Sequence, residues 1–150
     1  MTLKEKLELF KEKGWTYNKE TGEVFSHTGK IKNTTNYLGY IQCGLIVDTK
    51  SVKVQAHQLA WYLSTGNVPN TIDHINRIKN DNRFINLRNV TIQENTFNTN
   101  AKGYCWSKSK KKFRSNICIS GKLKFLGYYN TEEEARKAYL DAKKIYHLIN

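Results

Sequence analysis

The residues from Thr131 onward constrain the fold more than any other stretch. Ala135, Ala138, Tyr139, Ala142, Ile145, Tyr146 and Ile149 recur at helical spacing and form one apolar stripe. Thr131 with Glu134 three residues on makes a capping box, which fixes where the helix begins. Such a helix must bury its stripe against something. Three short β-rich runs precede it, Tyr104–Trp106, Phe113–Ile119 and Leu123–Leu126, with turns at Lys108–Lys112 and Ser120-Gly121. The pattern predicts a three-stranded sheet backed by one helix across residues 101–150.

Upstream the pattern differs. Leu3, Leu7 and Phe10 mark a helix over residues 2–13, with Thr2 as N-cap and Gly14 as its stop. Trp15–Tyr17, Val24-Phe25, Tyr40–Ile46 and Val52–Val54 are short β-rich runs separated by turn chemistry, and they predict a small antiparallel sheet. Residues 56–64 read as a helix closed by Thr65-Gly66. A strand at Ile72–Ile75, a polar loop from Asn76 to Arg83 and a strand at Leu87–Val90 follow. Thr91 and Glu94 form a second capping box, so a helix begins at Ile92 and carries Asn95 in its first turn. The class is α+β, in three segments: 1–55 (helix and sheet), 56–100 and 101–150.

Charge narrows the partner. The 150 residues carry a formal net charge of +12 with 39% hydrophobic content, enough apolar material to exclude a disordered tail. Twelve Lys and Arg against four Asp and Glu fall in residues 101–150, and thirteen against nine in residues 1–100. A polyanion gripped mainly by the C-terminal third is the expected partner. Cys43, Cys105 and Cys118 are odd in number and lack C-x-x-C spacing. Met1-Thr2-Leu3-Lys4-Glu5 opens a charged helix and not a secretory signal, and no apolar run reaches membrane-spanning length. A reduced cytoplasmic protein is expected.

Chemistry concentrates between residues 73 and 95. A hairpin followed by a helix can bring the carboxylate of Asp73 and the amide oxygen of Asn95 together, the hard ligands a Mg²⁺-like ion takes. His74 follows Asp73, so in a regular strand it points to the opposite side of the pleat unless the strand is distorted. Asp73-His74-Ile75, Asn86 twelve residues after His74 and Asn95 nine after that resemble the HNH (ββα-metal) nucleases. The likeness extends to Ala56-His57-Gln58-Leu59-Ala60-Trp61, Asn80-Asp-Asn-Arg83, Asn86-Leu-Arg88, Val90-Thr91 and Glu94-Asn95. The match is to the phage- and intron-encoded homing endonuclease branch, and it covers residues 56–100.

That resemblance implies a double-stranded DNA endonuclease using one divalent ion, Mg²⁺ or Mn²⁺. Asp73 and Asn95 would bind the metal, His74 would act as general base, and Asn86 would hold the loop and orient the histidine. The products would be a 5′-phosphate and a 3′-hydroxyl. Arg83 and Arg88 could clamp phosphate or simply be solvated. His57, beside Leu59, Ala60 and Trp61, reads as a packing histidine. The rival reading is a non-catalytic, sequence-specific DNA-binding protein on an HNH-like scaffold.

Residues 103–147 resemble the plant ethylene-response-factor type of DNA-binding domain through Gly103-Tyr104, Trp106, Phe113, Ile117, Leu126-Gly127-Tyr128-Tyr129, Thr131–Ala135 and Ala138-Tyr139. In that family the sheet enters the major groove. Alternation along Phe113–Ile119 puts Phe113, Ser115, Ile117 and Ile119 on the helix side, leaving Arg114 and Asn116 as base-contact candidates. For the third strand, bare alternation sends Leu123 and Phe125 inward, whereas the family alignment places both on the DNA face. Lys122 and Lys124 are phosphate candidates in either case, and Lys108, Lys110, Lys111 and Lys112 form the basic turn, with Lys108, Lys110 and Lys112 as its phosphate candidates.

Overall fold

The computed structural model describes residues 1–32 and 34–148, apart from the side chain of Gln93. The chain divides into two compact units, Met1–Val90 and Thr91–Asn150.

The first unit is built on two helices and three hairpin-like ladders. Helix α1 spans Leu3–Glu12; Thr2 caps it, accepting from the Glu5 amide while the Glu5 carboxylate accepts from Thr2. Strands β1 (Thr16–Tyr17) and β2 (Val24–Phe25) pair antiparallel, as do β3 (Gln42–Val47) and β4 (Lys50–Gln55). The single small sheet expected from sequence is therefore two separate ladders, with isolated bridges at Phe25–Ile31 and Thr35–Ile41 in the stretch between them. The turn-rich segment between β2 and β3 bonds partly within itself, Asn36 N–H donating to the Tyr40 carbonyl, and partly to its flanks, Lys32 N–H donating to the Val24 carbonyl and Gln42 N–H to the Thr34 carbonyl.

Helix α2 (Ala56–Thr65) follows β4 directly and ends on Gly66 in the left-handed conformation. Leu7 and Phe10 of α1, Trp15, Val24, Cys43, Val52, Val54, and Ala56, Leu59, Ala60 and Tyr62 of α2 share one core with Ile72 and Leu87. The boundary expected at residue 55 falls inside this core. Burial, slightly opposed by Lys32, pushes the Cys43 thiol up to about 12. Strands β5 (Thr71–His74) and β6 (Leu87–Val90) form the third ladder, with a 3-10 turn at Phe84–Asn86 before β6.

The second unit opens with helix α3 (Ile92–Phe97), capped by Thr91 and Glu94 as the sequence predicts. Strands β7 (Tyr104–Ser107), β8 (Lys112–Ile119) and β9 (Lys122–Tyr129) make one antiparallel sheet in the order β7-β8-β9. Helix α4 (Glu132–Tyr146) is capped by Thr131 and Glu134. Ile117 packs with Tyr139 and Ala142 of α4, joined by Ile119 and Leu126. The apolar stripe is shorter than its spacing suggests. Ala135, Tyr139 and Ala142 are buried, but Ile145 and Tyr146 are exposed; Ile149 lies outside the described residues.

The register explains which way β9 faces. Ser115 pairs with Gly127 and Asn116 with Phe125, so Leu126 is an extra residue and the alternation slips by one. Beyond that bulge Leu123 and Phe125 are 75% and 49% exposed, contrary to bare alternation.

Among the described residues no helix is long and apolar enough to cross a membrane. The three cysteines are free thiols.

Candidate active site

The β5–β6 ladder runs in register from Thr71–Val90 to His74–Leu87 without a bulge, so no distortion separates Asp73 from His74. The two residues accordingly find different surroundings. Asp73 pairs across the ladder with Arg88, whose Nε donates to Oδ2 at 2.8 Å and whose Nη2 lies 2.6 Å from the same oxygen. His74, only 4% exposed, enters a cluster of rings. The His57 ring meets it edge-on, with centres 5.2 Å apart, and Tyr40 packs on both histidines, at 5.1 Å from His57 and 5.9 Å from His74. Lys79 lies over Tyr40 and donates to the Leu38 carbonyl.

Helix α2 supplies His57 from its first turn, where it is buried, as are Leu59 and Ala60. Burial, reinforced by the neighbouring His74, pushes the His57 imidazole down to about 3. It is a neutral wall of the site. It is buried, as a packing histidine is, but the ring it packs against is His74 of the site.

The loop from Asn76 to Asn86 is closed by side-chain amides. Asn86 accepts from the Asn76 amide through Oδ1 at 2.9 Å, and its Nδ2 donates to Asn76 Oδ1 at 2.9 Å and to the Asp81 carbonyl at 2.8 Å. Asp81 takes two hydrogen bonds from the Arg83 side chain and one from Asn76. With Arg83 the leading cause, these hold its carboxyl down to about 2. Within the same loop, His74 Nε2 donates to Asn82 Oδ1 at 2.9 Å, with Asn82 buried.

The residues predicted from sequence are thus distributed as follows. Asp73, His74, Asn86, Arg83 and Arg88 belong to the first unit, and both arginines are engaged by carboxylates, Arg88 by Asp73 and Arg83 by Asp81. Asn95 lies in α3 of the second unit, exposed, its backbone N–H donating to the Thr91 carbonyl. Arg114 is exposed on β8, donates to Asn116 Oδ1 at 3.2 Å and stacks over Phe125. Lys108, Lys110, Lys112 and Lys122 are exposed; Lys124 is turned to Tyr146, donating to its hydroxyl at 2.6 Å. Sequence reasoning gave no role to Tyr40 or Asn82. Tyr40 opens a β-rich run and Asn82 stands in a polar loop, and nothing in either local pattern distinguishes a side chain that will reach an imidazole.

Residues 54–97 match a family model described as HNH endonuclease. This stretch carries Asp73, His74, Asn86 and Asn95, and it is similar to HNH endonuclease domains. Among solved structures, one described as "DNA binding and cleavage by the HNH homing endonuclease I-HmuI" aligns at 26% identity over 91% of this chain and 86% of that chain, with a TM-score of 0.49. A search of curated proteins gave no match.

Proposed function

We propose that the protein is a divalent-metal-dependent DNA endonuclease of the homing type, hydrolysing a phosphodiester of double-stranded DNA to leave a 5′-phosphate and a 3′-hydroxyl. The observation that carries this reading is His74: a buried imidazole, adjacent to Asp73, with Nε2–H committed to an amide oxygen, inside the stretch that matches the HNH endonuclease model. A neutral histidine held in that way has its basic lone pair on Nδ1, the nitrogen suited to take a proton from water.

The donor chemistry fits a hard cation such as Mg²⁺ or Mn²⁺. Asp73 offers a carboxylate and Asn95 an amide oxygen. Arg88 engages Oδ2 of Asp73, and a carboxylate with about four lone-pair positions can accept both an arginine and a metal bond. When bound, the ion supplies positive charge to the phosphate and the departing 3′-oxygen. His74 would take the proton of the attacking water. Asn86 would hold the loop and so orient His74.

The basic second unit is read as the DNA-holding part. Arg114 and Asn116 are the base-contact candidates, and Lys108, Lys110, Lys112 and Lys122 the phosphate contacts; Lys124, also named from sequence, would have to leave Tyr146 to join them. One active centre per chain favours a nick as the primary product.

A supercoiled-plasmid assay with Mg²⁺ or Mn²⁺ tests the reading. Open-circle product is expected, lost with EDTA and reduced ~10²–10⁴-fold in His74→Ala, with DNA affinity retained. Binding that EDTA leaves unchanged, with no cleavage by the intact protein at any concentration, would favour the non-catalytic alternative.

A further inference from the structure

Asn82 is a costly residue to bury where it sits. It is 2% exposed, makes one hydrogen bond through Oδ1, and among the described residues no protein group accepts from its Nδ2. A buried amide with an unanswered donor contributes little to stability, so packing alone does not account for an asparagine there. Its Oδ1 nevertheless receives Nε2–H of His74 at 2.9 Å.

The backbone around Asn82 is braced from a distant part of the chain. The Tyr17 hydroxyl donates to the Asn82 carbonyl at 2.7 Å, and the Phe84 amide donates to the Lys19 carbonyl at 3.0 Å. Phe84 stacks on the Trp61 ring at 5.5 Å, and the Lys19 ammonium lies over the Phe84 ring. Gly22, at φ +79°, lies so close that a Cβ there would stand 2.5 Å from the Arg83 nitrogen and 2.7 Å from the Asn82 carbonyl carbon. The hairpin formed by β1 and β2 thus presses directly on residues 82–84.

We propose that Asn82 is a positioning residue for the hydrolytic step: it holds the ring of His74 and fixes its tautomer with the proton on Nε2, and the β1–β2 hairpin acts through it. The inference rests on the reading of His74 as general base. An imidazole free to exchange tautomers would present N–H to the attacking water part of the time, and a ring free to turn would present no nitrogen at all. An acceptor at Nε2 removes both losses. The geometry requires an oxygen acceptor at this position, which aspartate also provides and leucine does not.

The test joins catalysis to a direct observation of the ring. In ¹⁵N-resolved NMR of the metal-free protein at pH 8, His74 is expected as the Nε2–H tautomer in the wild type and in Asn82→Asp, and as a mixture in Asn82→Leu. In the plasmid assay Asn82→Leu should lose about 10–100-fold in kcat with KM little changed, the size typical of partners that orient a functional histidine. Asn82→Asp should recover most of that loss. An Nδ1–H tautomer in the wild type would overturn the proposal, as would unaltered kcat in Asn82→Leu or an equal loss in both variants. Should Asn82→Leu fail to fold, the wild-type tautomer and the activity of Asn82→Asp decide the question alone. A wild type that shows the Nε2–H tautomer but cuts nothing would leave the hydrogen bond intact and defeat the nuclease reading instead.

Discussion

The imidazole of His57 meets that of His74 edge-on, with the ring planes at 84°. Two histidines in such contact cannot both be charged without strong repulsion, and burial with the neighbouring His74 keeps His57 neutral.

This has a consequence for acid stability. Folding depresses the His57 pKa from 6.5 to about 3, so the unfolded chain binds this proton first as the pH falls. The stabilisation is fully present above pH 6.5 and is lost progressively down to about pH 3. At pH 5 the loss from this group alone is about 2 kcal/mol. Urea denaturation at pH 7 and pH 5 should show that drop in the wild type and a smaller one in His57→Leu. Equal pH dependence in the two proteins would remove His57 as its source.

Asn86 closes the loop through three hydrogen bonds, and it is 6% exposed. Asn86→Ala strands the Asn76 amide and the Asp81 carbonyl, which should lower stability by about 1–3 kcal/mol. Cleavage should fall further than that, because the loop that carries Asn82 would open in the folded protein. Thermal melting and plasmid cleavage measured on the same preparation separate the two effects. Full activity at reduced stability would confine Asn86 to a structural role.

Gly22 and Gly29 offer a matched pair. Both are left-handed, at φ +79° and +74°, but a Cβ at Gly22 strikes the backbone of residues 82–83 whereas one at Gly29 meets nothing within 4 Å. Gly29→Ala should therefore show only the conformational cost, about 1–2 kcal/mol. Gly22→Ala should add a packing penalty of about 1–3 kcal/mol and a marked loss of cleavage. Equilibrium unfolding of both variants checks the difference, and equal effects would mean the hairpin does not bear on the loop.

Lys108, Lys110 and Lys112 crowd the turn between β7 and β8, all exposed. If they neutralise DNA phosphates, replacing all three by Ala should flatten the dependence of log Kd on log salt by about 0.9 per lysine removed. Fluorescence anisotropy with a duplex between 50 and 200 mM salt (about a Debye length of 14 to 7 Å) would measure it. An unchanged slope would assign these residues to solubility.

Caps and periodicity carried most of the secondary structure. Thr91 with Glu94 and Thr131 with Glu134 place the starts of α3 and α4 correctly, because a capping box is a local device that needs no knowledge of the rest of the chain. β6 was equally legible, from Leu87 to Val90. What could not be read was anything set by one residue too many or by closure in space. The extra Leu126 reverses the outward face of β9, and no composition rule announces a bulge opposite Ser115. At the candidate site, the motif spacing picked out His74 and Asn86, and the hydrogen bonds of Asn86 run to the Asn76 amide and the Asp81 carbonyl. Asn82 stayed hidden among Asn80, Asp81 and Arg83, since its partner is defined only once the loop folds back. Tyr17 was more remote still, 65 residues before the carbonyl it holds.

The brace between the β1–β2 hairpin and residues 82–84 limits how far the HNH stretch can be moved as a part. Residues 54–97 contain the histidine, the carboxylate and the loop, but not Tyr17, Lys19 or Gly22, and not the Leu7 and Phe10 side chains that share a core with α2. Grafted onto another scaffold, that segment would keep its chemical groups and lose the anvil on which the loop is shaped. The transferable module begins with the first helix.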